Sequence, residues 1–294
     1  MVSMDAEWGV GMRLDSVPKF PWNMSLGAIK NDLLIEKIGS EIGNQFKRLG
    51  IHMNFAPVID INTNSKNPII GNRSFGENKI NVSEKGISFT KGIQSNNILA
   101  TAKHFPGHGD TSKDSHLTLP TINFDEKRIK KVELYPFKKL IEDGLSAVMI
   151  AHLNVPSLEK ENMLPSTLSK NIIERTLIKE LNFNGLIITD ALEMKGVSEF
   201  TKKNVDLMAF LAGNDILLMS SDISKGIKSI KKSIRKGKIS EERLARSVKK
   251  ILKAKYKAGL NSYKSVDTTN LIDDLNSISV TNLINKSIES IPTL

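Results

Sequence analysis

A repeated ending constrains the fold of this chain more than any other feature. Five short apolar runs each close on an acid or an imidazole: Met1 to Asp5, Met53 to Asp60, Ile98 to His104, Ala147 to His152 and Gly185 to Asp190. Between them lie segments with helical apolar spacing. In Asp32 to Leu49, for example, Leu34, Ile35, Ile38, Ile42 and Phe46 share one stripe. Helices are also expected over Ser83 to Ser95, Asp125 to Asp143, Ser169 to Leu181 and Lys203 to Ala212. A sixth strand is expected over Asp215 to Met219, followed by helices near Ile223 to Lys236 and Ser240 to Ala258. Alternating short strands and helices predict an α/β fold with parallel strands covered on their faces. A (β/α)8 barrel of the TIM type collects its functional groups at the carboxyl ends of its strands, on one rim. A doubly wound sheet gathers them at one crevice instead. Polar residues at five strand ends favour the barrel. Six strands are readable, so the expectation is a barrel lacking its first strand or two.

The 294 residues carry a net charge of +10, which raises the question of nucleic acid. Much of the excess lies between Lys225 and Lys257, where isoleucine recurs at helical spacing, so the lysines read as the wet faces of amphipathic helices. No aromatic is interleaved with them before Tyr256, leaving no stacking platform for bases, and nucleic-acid binding is not expected. No apolar run approaches the roughly 20 residues of a membrane span. Nothing at Met1-Val2-Ser3-Met4-Asp5 reads as a secretory leader. With no cysteine there is neither a disulfide nor thiolate chemistry, and the redox compartment stays open.

The chemistry concentrates in Lys103-His104-Phe105-Pro106-Gly107-His108-Gly109-Asp110-Thr111-Ser112-Lys113-Asp114-Ser115-His116. It holds three of the five histidines, directly after an apolar run, and a mere connector needs only turn residues. His104 and His108 have a zinc-like spacing, but Pro106 and Gly107 prevent the helix that such a pair requires, so no metal is expected. Asp114 and His116, two apart in an extended segment, face the same side.

These residues resemble the signature of glycoside hydrolase family 3, in its β-N-acetylglucosaminidase branch. Asp5 to Arg13, Phe55 to Asp60, Gly71 to Gly76 and Ile187 to Val197 are similar to further family segments, in the family's order. The resemblance covers residues 1–260 as the catalytic domain, entered late at its N-terminal side. Residues 261–294 read as a polar linker and the start of a truncated C-terminal segment, with a helix in Leu271 to Leu294 that has no obvious partner.

The resemblance implies a retaining β-N-acetylhexosaminidase that acts on terminal N-acetyl-β-glucosaminides and uses no cofactor. Asp190 matches the nucleophile, His116 the proton donor and acceptor, and Asp114 its orienting partner. An aspartate beside an imidazole favours its protonated form and fixes its tautomer. Asp5, Arg13, Arg73, Lys103 and His104 match the residues that hold the terminal sugar. From the residues alone, Asp190 reads equally well as a helix N-cap, and Arg73 also as one half of a loop ion pair. His108 reads as a brace of its loop. His152 leaves two readings open, lining the pocket or capping its strand.

The substrate expected is an N-acetylglucosamine-containing oligosaccharide or muropeptide. Two alternatives remain: a phosphorylase using the same site, since neutral imidazole would not repel phosphate, or a non-catalytic sugar-binding remnant. Asp5-Ala6-Glu7-Trp8-Gly9 resembles the exported members of the branch, which places the expected location in the cell envelope ahead of the cytoplasm. The oligomeric state is open.

Overall fold

The computed structural model describes residues 1–111, 118–198, 200, 204–262 and 264–292. Its sheet has five strands: β1 (Ser3–Met4), β2 (Met53–Asn54), β3 (Leu99–Phe105), β4 (Ala147–Ile150) and β5 (Leu186–Thr189). All are parallel, and their order in space is their order in sequence. A doubly wound sheet would reverse direction at a switch point; these strands wind one way throughout. The fold is therefore α/β with a parallel, barrel-like arc.

Period-two alternation explains why the arc is covered on both faces. Leu99, Ala147, Met149, Leu186 and Ile188 point to one side and pack with Met53 and Phe55, and with Ala254 and Ile251. Ala100, Ala102, Val148, Ile150 and Ile187 point to the other side, into the larger core shared with the outer helices. A slip of one residue would exchange these two sets, so the register is strongly specified.

The helices are α1 (Asn23–Gly27), α2 (Asp32–Arg48), α3 (Lys79–Gln94), α4 (Glu126–Lys131), α5 (Leu134–Glu142), α6 (Lys195–Ser198), α7 (Val205–Ala212), α8 (Ile223–Arg235), α9 (Glu241–Lys257), α10 (Leu271–Leu275) and α11 (Ile278–Glu289). A further helical segment covers Asn171–Glu180. The expected stripe of α2 is buried in full, each such side chain contributing about 1.5–3 kcal/mol. Asn31 caps α2 by accepting from the Leu33 amide at 3.1 Å. Glycine lets α2 and α3 touch: a Cβ at Gly92 would lie 2.0 Å from the Glu36 carbonyl oxygen.

Three expectations are corrected. The helix expected from Ser83 begins a turn earlier, because Asn78 accepts from the amides of Ile80 and Asn81. The single helix expected over Asp125 to Asp143 is two, α4 and α5. Pro136 lacks an N–H, and its ring would strike the carbonyl of Val132, where α4 ends. The sixth strand expected over Asp215 to Met219 is a bridge, Ile216 beside Ile188, with backbone bonds to the neighbouring chain running from Asp215 to Leu218. The Asp215 carboxylate there accepts from the Ile187 amide at 3.1 Å, a side chain in a role that a strand would give to backbone.

The C-terminal stretch that lacked an obvious partner has one. Leu275 is buried in the main core, with Leu271, Leu283, Ile284 and Ile291 packed beside it, and α10 and α11 both lie against α2. Arg48, at the end of α2, holds this stretch in place. It pairs with Asp274 at 2.8 Å and donates to the carbonyls of Thr269, at 2.6 Å, and Asp267. Asn276 donates to the Ser16 carbonyl at 3.0 Å.

Candidate active site

A cleft of about 750 Å³ opens where the strands end. Asp5, Arg13, Arg73, Lys103, His104 and Asp190 all line it, although they come from five separate segments of the chain. Strand geometry delivers four of them: Asp5 follows β1, Lys103 and His104 lie within β3, and Asp190 follows β5. Arg73 ends a short turn of helix, Gly71–Arg73, in the loop after β2.

The floor of the cleft is an ion-pair network. Lys103 is buried and places its Nζ 2.7 Å from both Asp5 Oδ1 and Glu7 Oε1. Arg13 reaches the other oxygen of Asp5 at 3.0 Å. Arg73 grips Glu7 at two points, Nη2 to Oε1 at 2.8 Å and Nε to Oε2 at 2.9 Å. Burial works against ionised Glu7, but Lys103 and Arg73 outweigh it and hold the carboxyl well below the usual carboxylate range. Burial likewise opposes the charge on Lys103, and Glu7 and Asp5 reverse that, raising its pKa. Arg73 thus combines two roles, an ion pair and a place on the cleft wall.

Beneath the floor, Asp60 orients His104. The Asp60 carboxylate, 1% exposed, accepts from His104 Nδ1 at 2.7 Å, from the His104 amide and from the His108 amide at 2.7 Å. A carboxylate can only accept, so Nδ1 carries the hydrogen, and Nε2 faces the Arg73 Nη2 donor at 3.3 Å. Burial disfavours ionised Asp60, yet His104 and the bonds it accepts bring its pKa down. His108 is buried, and its Nδ1 meets the Thr111 hydroxyl at 2.7 Å. Burial, reinforced by His104, pushes its pKa down to about 4.

Asp190 faces the cleft half-buried and accepts from the Ala191 amide at 2.8 Å. Burial alone would raise its pKa; the neighbouring His152 and His104, the Ala191 N–H and Lys103 lower it instead. The carboxyl is ionised and turned toward open space. His152 itself is fully buried, placing Nδ1 2.6 Å from the Thr167 hydroxyl and Nε2 2.9 Å from the Ala191 carbonyl. Through the Ala191 carbonyl the imidazole supports the turn that carries Asp190.

Asp114 and His116 lie outside the described residues. Two side chains outside the expected catalytic and sugar-holding residues, Glu7 and Asp60, organise it; Asp60 was expected only as an acid at a strand end. The signal for Glu7 was its position two residues after Asp5, in the turn that follows β1. The lining also includes apolar side chains, Phe55, Met12, Met149 and Met194 among them.

The family model described as the glycosyl hydrolase family 3 N terminal domain matches residues 1–254. The chain belongs to glycoside hydrolase family 3. The solved structure of a family 3 β-N-acetylglucosaminidase from Paenibacillus sp. str. FPU-7 superposes with a TM-score of 0.93 at 38% identity, covering 99% of this chain and 56% of that one. Beta-hexosaminidase A of Pseudoalteromonas piscicida is 34% identical over 281 residues, 87% of this chain and 47% of its own length. A β-N-acetylglucosaminidase/β-glucosidase of Cellulomonas fimi is 28% identical over 272 residues, 89% of this chain and 48% of its own. The chain thus spans about half the length of the curated family 3 relatives that it matches.

Proposed function

We propose that the chain is the catalytic part of a retaining β-N-acetylhexosaminidase built on a (β/α)8 barrel. The observation that carries this reading is the placement of Asp190. It is an ionised carboxylate at a strand end, facing a cleft whose floor presents Asp5, Arg13, Arg73, Lys103 and His104. Fixed charged donors and acceptors suit a hydroxylated ring, each charge-assisted bond being worth roughly 1.5–3 kcal/mol. The names borne by the relatives supply the sugar class, a terminal N-acetyl-β-glucosaminide.

In the first step a carboxylate oxygen of Asp190 attacks the anomeric carbon as the bond to the leaving oxygen breaks. His116 gives that oxygen its proton. In the second step His116 takes a proton from water, whose oxygen displaces Asp190 and leaves the sugar with its original configuration. Asp114 orients the imidazole throughout. These roles of Asp114 and His116 rest on the sequence resemblance, and those of Asp190 and the cleft residues on the resemblance and the geometry together.

Nitrophenol release decides the reading. The N-acetyl-β-glucosaminide should react at least about tenfold faster than the β-glucoside, a difference of roughly 1.4 kcal/mol in the barrier. Equal or reversed rates would overturn the sugar assignment. Product analysed with and without inorganic phosphate separates hydrolysis from phosphorolysis: free N-acetylglucosamine is expected in both, and sugar phosphate would overturn the hydrolase.

A further inference from the structure

The loop after β2 holds the loop after β3 in place. Their first contact is backbone on backbone: a Cβ at Gly109 would lie 1.8 Å from the Ile61 carbonyl oxygen, an approach that only glycine permits. Thr63 donates its hydroxyl to Asp110 Oδ1 at 3.0 Å. Asn64 donates to the carbonyls of Thr111, at 3.2 Å, and Asp110, at 3.4 Å. These contacts all land between Gly109 and Thr111, directly beyond His108, which lines the cleft.

Asn67 ties this cradle to the cleft itself. It is 6% exposed, and both polar atoms of its amide are occupied. Oδ1 accepts from the amides of Ile69, at 2.9 Å, and Ile70, at 3.0 Å. Nδ2 donates to the His108 carbonyl at 2.8 Å and to the Thr111 hydroxyl at 3.3 Å. Two N–H groups on one side and a carbonyl on the other fix the orientation of the amide. The Ile69 carbonyl in turn accepts from Arg73 Nη1 at 3.0 Å, and Ile69 and Arg73 both line the cleft. One buried side chain therefore joins the turn that bears Arg73 to the segment that leaves His108. A buried amide that loses half of its partners is costly, so the two loops are held as one unit.

We propose that Asn67 is a positioning residue for the acid/base step. Through the His108 carbonyl and the Thr111 hydroxyl it fixes the backbone from which the chain runs on to Asp114 and His116, three and five positions beyond Thr111. Through Ile69 and Ile70 it sets that backbone against the turn bearing Arg73. This rests on the proposed glycosidase reading and adds the residue that couples its proton transfer to its sugar contacts. A misplacement of about 1 Å at such a joint costs on the order of a hundredfold in rate.

The test is kcat/KM of the full chain on two N-acetyl-β-glucosaminides. The phenyl glycoside needs a proton on its leaving oxygen, and the dinitrophenyl glycoside does not. Asn67→Asp keeps the acceptor for the Ile69 and Ile70 amides and removes the donor to His108 and Thr111. It should lower kcat/KM on the phenyl glycoside by about a hundredfold and on the dinitrophenyl glycoside by less than about threefold. Inhibition by N-acetylglucosamine should be unchanged in Asn67→Asp, because the Arg73 turn keeps its bonds, and weakened in Asn67→Ala. A merely structural role would lower the melting temperature and reduce both substrates together, and that result overturns the proposal. Where Asn67→Asp melts below the assay temperature, Asn64→Ala must show the same selective loss in smaller measure, and its absence there also overturns the role. His116→Ala is the reference. Selective loss in His116→Ala with parallel losses in Asn67→Asp overturns the positioning role alone, whereas parallel losses in both overturn the acid/base reading with it.

Discussion

Arg73 and Glu7 meet through two parallel bonds, 2.8 and 2.9 Å long, at a carboxylate that is only 1% exposed. Neither side chain would sit there unpaired. Lys103 shares the same carboxylate at 2.7 Å, so Glu7 neutralises two cations that the cleft presents. Removing one member of a buried pair leaves the other uncompensated and typically costs about 3–5 kcal/mol.

Glu7→Gln is therefore expected to lower stability to urea by about 3 kcal/mol near neutral pH. The effect depends on pH in a defined direction. The folded pKa of Glu7 is depressed, so its contribution is complete above the unfolded value of about 4.3 and is lost as pH falls toward the folded one. Urea midpoints between about pH 3 and 7 should show a shallower acid decline in Glu7→Gln than in the parent. Parallel declines would mean that Glu7 is not the group responsible.

Asp190→Ala should reduce turnover of every β-glycoside by at least about a thousandfold, as expected on losing a nucleophile. The variant should still bind the monosaccharide product, because Asp5, Arg73 and Lys103 are untouched. Product inhibition of the parent against calorimetric binding to the variant compares the two constants. Residual activity near that of the parent would move the nucleophile elsewhere on the rim.

His116→Ala should discriminate between leaving groups. Dinitrophenolate needs no proton, so the glycosyl-enzyme forms fast, but no base activates water and the intermediate accumulates as a burst. Azide needs no base and should restore turnover, yielding the β-glycosyl azide. Equal loss on activated and poor substrates, with no effect of azide, would make His116 a binding residue.

His108 should stay neutral throughout the physiological range. With its pKa pushed down to about 4, its imidazole resonances should be invariant from about pH 5.5 upward and move only in acid. Because the unfolded imidazole binds a proton near 6.5 and the folded one resists it, this group makes stability fall as pH drops from about 6.5 toward 4. His108→Gln should flatten that stretch of the stability curve. A histidine titrating normally at this position would place the ring in solvent.

The strand ends were legible because two simple signals coincide there, alternation along the strand and a polar residue at its close. Asp5, His104 and Asp190 follow from them directly. The break at Pro136 and the cap at Asn78 were also written in the sequence, since each acts within four residues of itself. Partnerships across the fold were not. Glu7 is joined to Arg73 across 66 positions, and Asp60 to His104 across 44, so neither pairing has a local signature. The contacts of Asp215 are of the same kind, since its carboxylate is engaged by Lys250 at 3.1 Å and by Ser247, both on α9.

The grip of Arg48 on the stretch before α10 separates two kinds of boundary. The match to the family model stops at residue 254, whereas the buried contacts of α2 continue through Leu275 to Val280. The border of that match therefore crosses a unit held together by packing. A worker trimming the chain to its recognised family segment would strip the outer flank of α2. The cut would also release the Ser16 carbonyl, three residues from Arg13, from the side chain of Asn276. Such a trimmed protein would report on a damaged rim, and its weakness toward sugar would say nothing about the chemistry of the cleft.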